Sequence, residues 1–110
     1  MIRISFRYNE NNEPVAFKLN GHAGFAPKGK DIVCAAVSVL TLNTVNSIEE
    51  FTEDHYLLDY NEDNGYMFFR FGDDTVPSDD ALLLLKSYEF GIKGIASENK
   101  GFIKLTEWEV

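Results

Sequence analysis

Cysteine, histidine and proline are scarce in this sequence, which has one, two and three of them in 110 residues. A single cysteine cannot form a disulfide within the chain, which indicates a reducing compartment and leaves Cys34 available for other chemistry. A chain of this length can bury a core without disulfides and suits one domain. We predict that this domain spans residues 1–110.

Basic residues are also few, since 10 Lys and Arg stand against 18 Asp and Glu, and the formal net charge is −8. An acidic surface repels the nucleic acid backbone and attracts basic partners. We therefore expect a basic protein partner and no direct nucleic acid binding. The alternative is that the acidic charge only maintains solubility.

Long uninterrupted apolar runs are missing. The segment Met1–Tyr8 alternates apolar and polar residues, as a strand does, and lacks the apolar centre of a signal peptide. The longest apolar stretches, around Ile32–Leu42 and Ala81–Leu85, are shorter than a membrane span. We expect a cytoplasmic protein that does not bind membranes.

The hydrophobic pattern predicts five strands and two helices. The strands are predicted over Ile2–Tyr8, Val15–Leu19, Glu53–Tyr60, Tyr66–Phe71 and Phe102–Val110, and the helices over Ile32–Phe51 and from Pro77–Asp80 to a stop at Asn99–Gly101. The order β-β-α-β-β-α-β predicts the α+β class, as a single-domain sandwich with a mainly antiparallel sheet covered by two helices.

The segment Gly21–Lys30 holds three glycines and a proline, which indicates a loop long enough to be mobile. Asp31 follows as a good N-cap, which would make Cys34 the third residue of the first helix. Free N–H groups and the positive end of the helix dipole favour a thiolate there, and the thiolate is the nucleophilic form. We also expect these N–H groups, including that of Cys34, to stabilise an oxyanion.

His22 lies in this loop, which can bring its imidazole within reach of Cys34 as a general base. The alternatives are a buried cysteine that only fills the core and a histidine on the surface. Asp31 either orients His22 or only caps the helix. Ser38, one turn after Cys34, either contacts substrate or permits close packing. The spacing of His55 to the other candidate ligands matches no zinc motif, so we predict no metal and no cofactor.

The segments Gly21-His22-Ala23 and Gly29-Lys30-Asp31-Ile32-Val33-Cys34-Ala35-Ala36-Val37-Ser38 closely resemble the bacterial ribosomal-processing cysteine protease family Prp. The length and the element order agree with that family over the whole chain. The resemblance implies an endopeptidase that removes a short amino-terminal extension from ribosomal large-subunit protein twenty-seven, after a hydrophobic sequence containing phenylalanine. It also implies a homodimer.

In this family the cysteine and histidine of the motif are nucleophile and general base, which fall on Cys34 and His22. Asp31 and Ser38 match further motif positions with supporting roles. The resemblance also implies that the glycine-rich loop orders around substrate, and the residues expected to contribute to it are Gly21, Gly24, Phe25 and Gly29. Phe25 is a candidate wall for an apolar substrate groove. A non-catalytic ribosome-assembly factor and a thiol redox sensor remain the alternatives.

Overall fold

Five strands form one sheet, and two helices pack on the same face of it. The computed structural model describes residues 1–21, 31–73 and 76–109. The elements are β1 (Ile2–Tyr8), β2 (Pro14–Asn20), α1 (Ile32–Phe51), β3 (Tyr56–Asn61), β4 (Tyr66–Phe71), α2 (Asp79–Glu98) and β5 (Ile103–Thr106). The predicted class and element order are confirmed, and β1, α1 and β4 have the predicted bounds.

The strands lie in the order β3-β4-β2-β1-β5, and only β1 and β5 pair in parallel. Apolar side chains in matching register share the face that the helices cover; one such row runs through Ile4, Leu19, Met67 and Tyr60. Residues of both helices belong to the same buried cluster as this face of the sheet. The core is therefore a single layer between sheet and helices.

Aromatic rings fill the centre of this layer. The ring of Phe17 stacks on Phe69, with centroids 5.2 Å apart, and the ring of Tyr88 from α2 lies 4.7 Å from Phe17. All three residues are at most 1% exposed. Buried aromatic side chains contribute large apolar areas, so this cluster joins α2 to the middle of the sheet.

Three strands differ from their predicted bounds. β2 is one residue longer at each end than the predicted Val15–Leu19. β3 begins at Tyr56 rather than Glu53, because the carboxylate of Asp54 binds the start of α2 instead of continuing the strand: it accepts from Ser78 N at 2.7 Å and from Ser78 Oγ at 2.6 Å. The alternating pattern could not show this pairing, since Ser78 lies 24 residues further along the chain.

β5 ends at Thr106, and the prediction that the strand continues to the carboxyl terminus is wrong for residues 107–109. Trp108 instead packs on the outer face of the sheet, edge-on to Phe68 with centroids 5.7 Å apart. The Nζ atom of Lys18 lies 4.4 Å from the Trp108 ring centroid and donates to the Glu109 carbonyl at 3.2 Å. Cation–π and hydrogen-bond contacts thus replace strand pairing here.

The helix α1 has 20 residues and includes an 18-residue window of mean hydropathy 1.4, so length and composition alone would allow it to cross a membrane. The exclusion of a membrane span by length therefore does not hold for this helix. The core helix of a globular domain meets the same criterion, and the side chains that α1 buries belong to the common core: Val33, Val37, Val45 and Ile48.

Gly21 ends the second strand in a conformation that other residues rarely adopt. Its φ is +94°, and a Cβ atom placed on it would lie 2.4 Å from the Met1 carbonyl oxygen. Its N–H donates to the Asn64 carbonyl at 3.1 Å, which ties β2 to the loop between β3 and β4. Glycine is required here for two separate reasons.

We predict that Gly21→Ala lowers the free energy of unfolding by about 1–3 kcal/mol, since backbone strain and a clash add. The matched control is Gly94→Ala in α2, where no atom of the described residues outside the adjacent helix backbone lies within 4 Å of the new Cβ. That substitution should raise stability by up to about 1 kcal/mol through helix propensity. Urea unfolding of both variants measures this; equal effects would contradict the account of Gly21.

The contact between Asp54 and Ser78 predicts a pH dependence. Burial by itself raises the pKa of Asp54, but the hydrogen bonds from Ser78 and Thr52 outweigh it and hold the pKa below the usual value. A carboxyl with a lowered folded-state pKa stabilises the fold above its unfolded pKa, and this contribution is lost as pH falls through the folded pKa.

Asp54→Asn should therefore cost about 1 kcal/mol at neutral pH, allowing for its partial exposure, and progressively less in acid. Urea unfolding at several pH values measures the difference from the unchanged protein. The control is Glu53→Gln, which removes an exposed neighbouring carboxylate. A cost for Asp54→Asn that does not shrink in acid would refute the assignment.

Candidate active site

The start of α1 is fixed by a side-chain cap. The Oδ1 atom of Asp31 accepts from Val33 N at 3.0 Å and from Cys34 N at 2.9 Å, and Asp31 itself has extended backbone angles. The helix therefore begins at Ile32, and Cys34 is its third residue, as predicted. The capping function expected of Asp31 is confirmed; whether Asp31 also orients His22 stays a prediction.

The Asp31 cap contradicts the expectation that the Cys34 N–H is free to stabilise an oxyanion. Because the Cys34 N–H donates to Asp31, this amide is not available to an oxyanion in this conformation. The carboxylate also offsets part of the positive potential that the helix start would otherwise place near the thiol. The helix start alone is thus a weaker source of thiolate than the sequence suggested.

Cys34 is half-buried and packs against the core, while Ser38 is exposed one turn further along α1. Both line a cavity of about 500 Å³ between α1 and the sheet, and Gly21 lines it from the end of β2. The structure thus brings Gly21, Cys34 and Ser38 to one site. Ser38 faces this open cavity, which does not support the alternative that it is only a small residue for close packing.

The cavity is mainly apolar. Its further lining residues are Ile2, Leu19, Val37, Thr41, Leu42, Leu58, Tyr60, Asn61, Glu62, Gly65, Tyr66 and Met67. Among the lining residues that the structure describes, Glu62 alone carries a formal charge. A cavity of this size and lining is suited to apolar or aromatic side chains of a ligand.

Thr41 is held in the wall of this cavity by a buried hydroxyl pair. Its Oγ1 lies 2.7 Å from the Val37 carbonyl oxygen, to which it donates, and 2.7 Å from the Tyr88 hydroxyl. A hydroxyl has one proton, so Tyr88 donates to Thr41. Burial raises the pKa of Tyr88, which keeps this donor protonated. The aromatic core is therefore bonded directly to the helix face that carries Cys34.

The contribution of β3 and β4 to the site was not predicted. Leu58, Tyr60 and Met67 line the cavity, although they lie more than 20 residues beyond Cys34 in the sequence. They lie on β3 and β4, and the strand pattern alone does not show that these strands meet the start of α1 at a common cavity. Thr41 and Leu42 form the wall of the cavity on α1. Their helical spacing from Cys34 could have predicted that they lie on the same side of the helix.

Four of the candidate residues lie outside the described part of the chain: His22, Gly24, Phe25 and Gly29. Their roles stay predictions. His55, the other histidine, lines a different cavity of about 690 Å³ with Glu49, Asp54 and Asp73. Within the described ranges no three His, Cys, Asp or Glu side chains are placed to hold a metal ion together.

In both sequence and fold, this chain is similar to proteins of one family. The family described as Cysteine protease Prp matches residues 1–104 of this chain. The chain is 31% identical to the ribosomal processing cysteine protease Prp of Bacillus subtilis over 108 residues, which cover 96% of each protein. It is 28% identical to the protein of that name from Staphylococcus aureus over 105 residues, covering 96% and 97%.

The fold is similar to that of a solved S. aureus enzyme. The crystal structure of the essential ribosomal processing protease Prp from S. aureus with a covalently linked product peptide has a TM-score of 0.89 at 27% identity, covering 98% of this chain and 100% of that one. The complex of the S. aureus protease with a substrate peptide has a TM-score of 0.84 at 26% identity, with the same coverage. The chain therefore belongs to the Prp family of ribosomal-processing cysteine proteases.

Proposed function

We propose that this protease removes an amino-terminal extension from ribosomal large-subunit protein twenty-seven, with Cys34 as nucleophile and His22 as general base. The observation that carries the proposal is the position of Cys34, in the first turn of α1 at an apolar cavity. Family membership favours this function over the two alternatives, a non-catalytic assembly factor and a redox sensor.

The proposed reaction has two stages. His22 takes the proton of the Cys34 thiol, the sulfur attacks the scissile carbonyl carbon, and the C–N bond breaks as His22 protonates the leaving amine. Water then hydrolyses the thioester and releases the extension. The Cys34 N–H can serve the oxyanion only after substrate has displaced the Asp31 carboxylate, since that carboxylate now accepts its hydrogen bond.

The substrate assignment agrees with the charge and the cavity. Ribosomal proteins are basic, and this chain has a net charge of −8. The largely apolar lining beside Cys34 fits a hydrophobic tail that contains phenylalanine. We also propose that the enzyme acts in the cytoplasm as a homodimer, without direct nucleic acid binding or membrane attachment. Gly21, Gly24, Phe25 and Gly29 are proposed to shape the loop around the tail.

Substitution of Cys34 and His22 tests the proposed catalytic pair. The wild-type protein should cleave a synthetic peptide that covers the tail junction, whereas Cys34→Ala and His22→Ala should each lose at least about a thousandfold in kcat/KM. The matched control is His55→Ala, because His55 is the other histidine, is exposed and does not line the Cys34 cavity.

Chromatography of the peptide products measures the rates, and circular dichroism checks that the variants fold. Binding of the peptide without cleavage by the wild type would favour the assembly-factor alternative. Cleavage that survives Cys34→Ala would remove Cys34 from the reaction.

Substitution of Asp31 tests its function as the helix cap. Asp31→Ala should lower the free energy of unfolding by about 1 kcal/mol, because two N–H groups lose their acceptor. Asp31→Asn should stay close to wild type in stability, since asparagine is also a good N-cap. Equal destabilisation by both substitutions would contradict the capping geometry.

Peptide cleavage by Asp31→Asn then separates the two roles of this residue. A fall in kcat at unchanged stability would assign Asp31 to orienting His22. An unchanged kcat would leave it as a cap.

A further inference from the structure

The outer side of β3 is an open sheet edge. No other strand of the described chain pairs with it, and on the opposite edge of the sheet β5 has only four residues. Proteins usually protect such edges with short strands, bulges, proline or lysine. β3 has six residues, Tyr-Leu-Leu-Asp-Tyr-Asn, with none of these residues and no register shift. This edge is therefore able to accept another strand.

The residues whose main-chain groups face this edge follow from the pairing. Gly72 N–H donates to the His55 carbonyl at 2.9 Å, and these two residues continue the β3–β4 register. In antiparallel pairs, hydrogen-bonded and non-hydrogen-bonded positions alternate. Counting from His55, the N–H and C=O groups of Tyr56, Leu58 and Tyr60 point away from β4, towards the open edge.

Counting from the opposite edge of the sheet, at the β1–β5 pair, gives the same answer for which β3 residues face the open edge. Ile2 N–H donates to the Phe102 carbonyl at 2.8 Å, which directs the even-numbered residues of β1 towards β5. Following the registers through β2 and β4 then directs the odd-numbered residues of β3 towards β4. The even-numbered residues again face the edge.

Helix α1 runs beside this edge. At one end Tyr56 and Glu49, near the end of α1, line the same cavity. At the other end Leu58 and Tyr60 share the cavity with Cys34 and Ser38. The edge between Tyr56 and Tyr60 spans about 13 Å, the length of four strand residues. An open strip of backbone thus leads to the thiol.

We propose that the peptide substrate adds to the sheet as a sixth strand on β3, hydrogen-bonded to the main-chain groups of Leu58 and Tyr60, which places its scissile bond at Cys34. The proposal rests on the proposed protease function. Main-chain bonding would fix the register of the tail, while the side chains of Leu58 and Tyr60 contact its apolar residues. Tyr60 is 61% exposed without such a partner.

A scan of peptide main-chain groups tests this directly. Single N-methyl groups are introduced in turn along a short synthetic tail peptide, and binding to the Cys34→Ala variant is measured by fluorescence anisotropy, which needs no chemistry. Added-strand binding predicts that methylation at every second position weakens affinity about tenfold, while the intervening positions change little.

The outcomes separate docking from catalysis. Equal effects at all positions, or no effect at any, would overturn the docking mode even if the wild-type enzyme cleaves the peptide. Alternating effects without cleavage by the wild-type enzyme would support the docking and overturn the protease reaction. A tail peptide that does not bind at all would overturn both.

A substitution in β3 provides a second test of this binding mode. Tyr60→Pro removes one N–H from the open edge and no hydrogen bond of the β4 ladder, so the fold should survive. Tyr60→Ala is the matched control for the lost side chain. Affinity should be about tenfold lower for Tyr60→Pro than for Tyr60→Ala, with thermal unfolding of both confirming the fold. Equal affinity, or loss of a dimer in place of peptide binding, would assign the edge to something other than substrate.

Discussion

The two hydrogen bonds that Asp31 accepts at the start of α1 determine the arrangement of the rest of the site. They set Ile32 as the first helical residue and place Cys34 in the first turn. With this start, the face that carries Val37 and Ile48 enters the core, and Cys34 stands at its border with the cavity.

This constraint has a chemical consequence. The cap that positions the thiol also occupies its N–H group and brings a negative charge to the helix start. Activation of Cys34 then depends on the proposed base His22 more than on the helix dipole. The site combines a formed apolar cavity with a Cys34 N–H that donates to Asp31. Substrate that fills the cavity and displaces the cap would complete the site, so that cleavage would depend on a matching substrate.

Much of the fold was predictable because its signals are local. A capping aspartate ahead of an apolar helical pattern gave the bounds of α1, and alternation with glycine-containing turns gave β4. The end of β5 was missed because Trp108 pairs with Lys18 across the sheet, a contact that alternation does not encode. The thiol could likewise be predicted from the helix start, whereas the walls supplied by Leu58 and Tyr60 depend on how α1 packs beside β3.

We propose that Cys34 forms a covalent bond with the carbonyl carbon of a ribosomal-protein tail. The most direct measurement is intact-protein mass spectrometry of the enzyme, quenched with acid during its first turnover of the tail peptide. A thioester at Cys34 would increase the mass of the protein by that of the acyl form of the removed extension, and fragmentation would map this increase to Cys34. Cleavage that proceeds without any adduct, and that continues in Cys34→Ala, would contradict this proposal.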